Sequence, residues 1–287
     1  MTLVGRILKY FTIIVLATFL AAVALDAADQ RGNFSQSFLA KIWSGRNNSI
    51  CPEGMVYVSA RKDGFCIDKF EASPGAGCPV KTVKSQADTR RNLQSASCVP
   101  QSKQGEIPWN FISQAQALEA CVKAGKRLPT NEEWYLAALG TPDFSEEWTQ
   151  QDCQLNSNWD NQPGLTGSGE RCVSAAGAYD MVGNVWEWVR GEIVEGKWQD
   201  LAMPPSGFVG GVNSEGLPIL VSPDKPDPNF NQDYFWIKDK GIRGIARGGY
   251  WNNQTKGGIY AVYMVPPPSY VGKGVGFRCV QDPNFSR

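Results

Sequence analysis

The 287-residue chain contains no histidine. That absence removes the commonest transition-metal ligand and the usual general base near neutral pH. Ser-His and Cys-His nucleophile pairs are excluded with it. An excess of either charge is also missing: 28 basic and 28 acidic residues balance to zero, so there is no electrostatic footprint for nucleic acid. No C-x-x-C pair occurs, which argues against a metal knuckle or a dithiol redox centre. No internal repeat is visible.

What remains is an ordinary globular composition, 42% apolar and 20% charged, with enough chain for a sizeable core. Its N-terminus reads as a targeting segment. Arg6 and Lys9 precede an apolar run from Tyr10 to Leu25, and Ala22-Val23-Ala24 supplies an A-x-A pattern. These are the features of a secretory signal. The run is short against the roughly 20 residues of a comfortable span, so an uncleaved membrane anchor is the alternative. Residues 1–28 are assigned to that segment, 29–50 to a polar stalk and 51–287 to one domain. Either way the body of the protein is exported, to the cell envelope or beyond it.

Export turns the eight cysteines into candidate disulfides. Local spacing suggests Cys78–Cys98 and Cys153–Cys172 as loop staples. Cys51–Cys66 and Cys121–Cys279 remain, the latter tying a helix to the last strand, although eight cysteines allow 105 pairings.

Met55–Val58 and Phe65–Asp68 read as strands around a turn at Lys62–Gly64. Residues 73–105, rich in Ser, Lys, Gln and Arg, read as a stapled surface insertion. Two helices carry start signals. Ser113 with Gln116, and Thr130 with Glu133, form capping boxes that satisfy orphan amides. Ala117, Leu118, Cys121 and Val122 make an apolar stripe in the first, ended by Gly125; Trp134, Leu136, Ala137, Ala138 and Leu139 follow in the second. Beyond Gly140 loops dominate, and residues 203–231 show few clear strands. At Gly183-Asn184 a tight turn needs positive φ. Trp186 and Trp188 then face one way along a strand, with Val185, Glu187 and Val189 facing the other.

Gly177–Val189, Ala246–Asn253, Gly276–Cys279 and the Leu128-Pro129-Thr130 unit with Glu133-Trp134 together resemble the formylglycine-generating-enzyme (sulfatase-modifying-factor) family. The resemblance runs from about Met55 to Val280 and implies a loop-rich α+β fold of C-type-lectin-like type. It also implies an oxidase that holds copper on two cysteines. By register those cysteines fall at Asn253 and near Gly258, and neither position has a thiol. A second branch of the fold builds an iron site from histidines, which are absent. The resemblance places structural calcium at Asp180 and Glu187, through side chains, and at Gly183 and Val185, through carbonyls. Oxygen donors on an irregular loop suit that ion. Equally, Glu187 could pair with an arginine while Asp180 caps the turn. A second family calcium site, near Asn156–Asn158, matches too loosely to assign.

The C-terminal segment also resembles the variable proteins of diversity-generating retroelements, whose repeats on this fold are rewritten at adenines. Tyr250, Tyr263, Val265, Pro266, Tyr270, Gly272 and Gly274 fit such sites, and Lys256 fits less well. With Trp251 and Asn253 they form a candidate ligand-binding set, since Tyr and Trp give large contact area at low entropy cost. The expectation is an exported, non-catalytic binder of a protein or glycan. The rivals are an enzyme using groups such as Glu132, Glu133, Asp180, Glu187 and Arg247, and a structural envelope component.

Overall fold

A computed structural model describes residues 50–60, 64–143 and 147–283. The chain divides into residues 1–49 and 50–287, and the described residues belong to the second unit. The expected signal segment and nearly all of the stalk lie outside the described residues, as do Lys62 and Asp63 of the first turn. Among the described residues, no helix is long and apolar enough to cross a membrane.

Strands β1 (Met55–Val58) and β2 (Phe65–Asp68) pair antiparallel as their alternation predicts, and β14 (Val280–Gln281) adds to β2. β3 (Ala72–Pro74) pairs with β4 (Pro100–Ser102). Between them, helix α1 (Gln86–Gln94) occupies the segment expected to be a surface insertion. Its buried residues are polar, Thr89 and Asn92. Asn92 exchanges two hydrogen bonds with the Val80 backbone, and the Thr89 hydroxyl joins the Trp109 indole to the Phe111 carbonyl.

Helices α2 (Gln114–Lys123) and α3 (Asn131–Ala138) start at Ser113 and Thr130, each with both arms of its capping box formed. In α2 the buried face is Gln114, Ala117, Ala120 and Cys121. Leu118 and Val122, expected in the stripe, are 40% and 60% exposed. Gln114 takes the inward place because its amide reaches the carbonyls of Val189 and Gly191.

The largest sheet has nine strands. It runs β7 (Leu201–Ala202), β6 (Lys197–Trp198), β5 (Trp186–Val194), β11 (Ile242–Arg247), β12 (Val262–Met264), β10 (Tyr234–Ile237), β8 (Gly207–Val212) and β9 (Pro218–Ser222), with β13 (Val275–Phe277) parallel to β5. The β8–β9 hairpin lies where few strands were expected, because glycines and Pro218 mask its alternation. The two faces of the sheet bury different cores. Val189, Ile193, Val209, Phe235, Ile245, Val262 and Met264 pack with Trp134, Ala137 and Ala138 of α3. Trp186, Trp188, Ala246 and Phe277 pack with Trp109, Ile112 and the small residues of α2. Each large side chain so buried stabilises the fold by roughly 1.5–3 kcal/mol.

All eight cysteines form disulfides: Cys51–Cys66, Cys78–Cys98, Cys121–Cys279 and Cys153–Cys172. Cys78–Cys98 and Cys153–Cys172 are the pairs suggested by spacing, the other two are the pairs left over, and four disulfides fit an exported protein.

Candidate functional site

The turn before β5 is built as its sequence requires. Gly183 (φ +79°) and Asn184 (φ +55°) are left-handed, and a Cβ on Gly183 would sit 2.3 Å from the Gln154 carbonyl oxygen. Glu187 then points into a buried polar cluster. Arg278 donates Nε and Nη2 to both of its carboxylate oxygens at 2.6–2.9 Å, and the Trp134 indole donates to Oε2 at 2.7 Å. The remaining guanidinium bonds go to the carbonyls of Asp68 and Tyr179. Burial works against the Arg278 charge, but Glu187 outweighs it and holds the guanidinium pKa above its ordinary value.

Glu71 accepts from the Asn184 amide at 2.7 Å and from the Val185 amide at 3.3 Å. Burial pushes its pKa well above the carboxylate range, and Asp180 and Glu187 push it further. Asp180 accepts from the Gly167 amide through Oδ2, while its Oδ1 is buried with no hydrogen-bond partner. Burial lifts its pKa to about 7. Glu187, expected as a calcium donor, is thus placed as the counter-ion of Arg278. Asp180 keeps a free oxygen and fits a cation. Among the described residues no group of three or more acidic or cysteine side chains has metal-holding geometry.

The two positions that would carry the copper thiolates have other tasks. Asn253 accepts the Tyr250 amide through Oδ1 at 2.7 Å and so closes a turn. Gly258 packs against Asp233, where a Cβ would meet Oδ1 at 2.2 Å. Asp233 and Asp143 lie buried beneath this loop and accept the Tyr260 and Ile259 amides. Burial raises Asp143 to about 6 and Asp233 well above its ordinary value. Arg247 is fully buried, 5.0 Å from the Trp134 ring, and donates to the carbonyls of Gly216 and Ile259. In the second capping box, burial of Glu133 is outweighed by Arg127 and the Thr130 amide, which hold its carboxyl below the usual range. Glu133 is therefore absorbed in structural contacts, whereas Asp180 and Asp233 each keep one buried oxygen without a hydrogen-bond partner.

On the other face of the sheet, where α2 no longer covers it, an aromatic cleft of about 610 Å³ opens. Its walls follow from strand register. Tyr263 on β12 is opposite Trp236 on β10 and Ala246 on β11, and Ala246 is opposite Trp188 on β5. Ala246 presents only a methyl group, so Trp186 and Tyr263 meet across it, stacked at 5.3 Å with 20° between their planes. Trp236 stands edge-on to Trp186 at 5.6 Å. Tyr250 and Trp251 form a second edge-on pair at 5.0 Å. Burial, helped by the neighbouring Tyr270 and Tyr250, raises the Tyr263 phenol pKa, so this hydroxyl stays a donor.

The loop that carries these side chains is held through its backbone. The Trp251 amide donates to the Asn184 carbonyl, the Trp251 carbonyl accepts from Ser157, and the Gln254 amide donates to Leu155. The carbonyls of Gly272 and Pro268 accept from Phe111 and Gln114.

Of the expected ligand-binding positions, Tyr250, Trp251, Asn253, Tyr263, Val265, Tyr270 and Gly274 line the cleft. Pro266 and Gly272 do not. Pro266 is buried and its carbonyl accepts the Gly244 amide; Gly272 lies against the Tyr270 hydroxyl. Trp186, Trp236, Lys273 and Val275 also line the cleft and were not in the expected set. Tyr234–Ile237 is uniformly apolar in sequence, so only the fold shows that Phe235 is buried and its neighbours half-exposed.

Among curated proteins, none matches the sequence. Among solved structures, the chain is similar to a Major Tropism Determinant I1 variant, at 17% identity and a TM-score of 0.44 over 81% of this chain. It spans about half of that protein, 53%. It is also similar to Treponema denticola variable protein 1, at 14% identity and a TM-score of 0.40, covering 79% of this chain and 91% of that one. PvdO from Pseudomonas aeruginosa gives 16% identity and a TM-score of 0.39, with 81% and 93% covered. Residues 55–283 match the sulfatase-modifying factor enzyme 1-like domain, and with its α+β, C-type-lectin-like architecture the chain belongs to that family.

Proposed function

We propose that the chain is an exported, non-catalytic binding protein that holds its ligand in the aromatic cleft, as a variable protein of the retroelement type would. The observation that carries this reading is convergence. Seven side chains or glycines picked from a continuous sequence segment gather around one cavity, while no acidic residue lines it. The buried carboxylates whose pKa values depart most from ordinary, Glu71, Asp143, Asp180 and Asp233, are at most 5% exposed. An enzyme would bring such groups to the cavity wall. An aromatic surface instead suits recognition of a surface protein or glycan.

The test is to array glycans and purified surface proteins against the full chain and against Trp251→Ala and Tyr270→Ala. Hits should weaken about tenfold or more in the variants, as truncation of an aromatic hot spot does. Hits indifferent to both substitutions, or chemical turnover of a bound compound, would refute the reading.

We further propose a structural calcium ion at Asp180, with the carbonyls of Gly183 and Val185 as fellow donors. The orphaned Asp180 Oδ1 supports it. Calcium added after chelation is expected to stabilise the protein by about 2.7 kcal/mol at a hundredfold excess over Kd. Asp180→Ala should abolish that response. An unchanged melting temperature in the wild type would remove calcium from the description.

A further inference from the structure

The aromatic surface continues past the cleft. Tyr234, two residues before Trp236 on β10, has its ring 4.8 Å from that of Trp236. Phe208, its register partner on β8, stands edge-on to it at 5.1 Å. Phe235 between them points into the core. From Phe208 to Trp186 the rings cross four interstrand steps, β8–β10–β12–β11–β5, which is about 19 Å at ~4.8 Å per step.

One lysine is seated on rings at the Phe208 end of this row, and a second on Trp251, which lines the cleft together with Trp186. The Lys256 ammonium lies 5.6 Å from the Phe208 ring and 5.0 Å from that of Tyr234. The Lys273 ammonium lies 5.7 Å from the Trp251 ring. Both lysines are exposed, and neither forms an ion pair among the described residues. The rings hold the two ammonium groups in position while leaving their charge without a carboxylate partner.

We propose that the ligand is an elongated anionic oligosaccharide, lying along this row from Lys273 to Lys256; this rests on the cleft being the binding site. Three features select that chemistry. Phe208, Tyr234, Trp236 and Tyr263 offer half-exposed apolar rings backed by the buried Trp186, matching the C–H faces of sugar rings, and phenol and indole groups at their edges can bond to hydroxyls. Two cations outside any ion pair, and a cleft without a lining carboxylate, select negative charge. The row also runs across the strands, so a ligand along it lies perpendicular to them. An extended peptide would there lose the main-chain pairing through which strand-adding peptides gain affinity.

Binding of the full chain should be measured by intrinsic tryptophan fluorescence with a galacturonate hexamer and dimer, a sulfated hexasaccharide, cellohexaose and hexaglutamate. At least one anionic hexasaccharide should bind about tenfold more tightly than the galacturonate dimer and than cellohexaose. Tyr234→Ala and Lys256→Ala should each weaken that hexasaccharide about tenfold. The two variants separate the stacking and charge contributions and leave the Trp251 end intact. Which anionic hexasaccharide binds identifies carboxylate or sulfate as the charge recognised. Equal affinities for hexamers and dimer, indifference to both variants, or preference for hexaglutamate would overturn the proposal. If arrayed ligands still require Trp251 while no anionic oligosaccharide binds, only this inference falls. If no ligand requires Trp251, the binding reading falls as well.

Discussion

Replacing Cys121 and Cys279 together by alanine should destabilise the protein by about 5 kcal/mol. The bridge spans 158 residues, and the chain entropy it removes from the unfolded state grows with the logarithm of loop length. For a domain of this size that corresponds to a fall in melting temperature of roughly 10–20 °C. The Cys78–Cys98 bridge spans 20 residues and should contribute only about 3 kcal/mol by the same reasoning. Thermal unfolding of the two double variants, compared with the wild type, checks both figures. A smaller loss for the long bridge than for the short one would show that strain or residual structure outweighs loop entropy here.

Arg278→Met should cost about 3–5 kcal/mol, because it leaves the Glu187 carboxylate buried without a cation. Both residues are at most 1% exposed, so solvent cannot compensate. Adding Glu187→Gln should recover much of the loss, since the glutamine carbonyl still accepts the Trp134 indole hydrogen. Chemical denaturation of the single and double variants checks both figures. A double variant no more stable than the single one would mean that Arg278 acts through packing rather than charge.

Sequence reading succeeded where local rules decide structure. Ser113 and Thr130 announced their helices because a capping box is complete within four residues. Gly183-Asn184 announced its turn for a similar reason. Helix α1 was not legible, because its inward residues, Thr89 and Asn92, are polar and give no apolar period. The stripe of α2 was misjudged at Leu118 and Val122, since the buried Gln114 earns its place only through carbonyls on β5, 75 and 77 residues away. The cleft was legible in the part contributed by one continuous loop. Trp236 enters it through parallel pairing of β10 with β12, and Trp186 enters because Ala246 leaves room across β11. Pro266 and Gly272 share a segment with the lining residues but do not line the cleft. Their contacts in the fold are made instead by the Pro266 and Gly272 carbonyls.

The segment that lines much of the cleft takes its course from amide–carbonyl contacts with distant segments, at Trp251, Gln254, Pro268 and Gly272. Such contacts are indifferent to side-chain identity. Side chains that this segment turns into the cleft can therefore vary without removing those contacts. Tyr263 is the exception among the cleft residues, since it lies on β12 and stacks on the buried Trp186. Evolvability is in this sense a property of the main chain: it separates the positions that shape the cleft surface from those that hold the fold, and allows the two to drift at different rates.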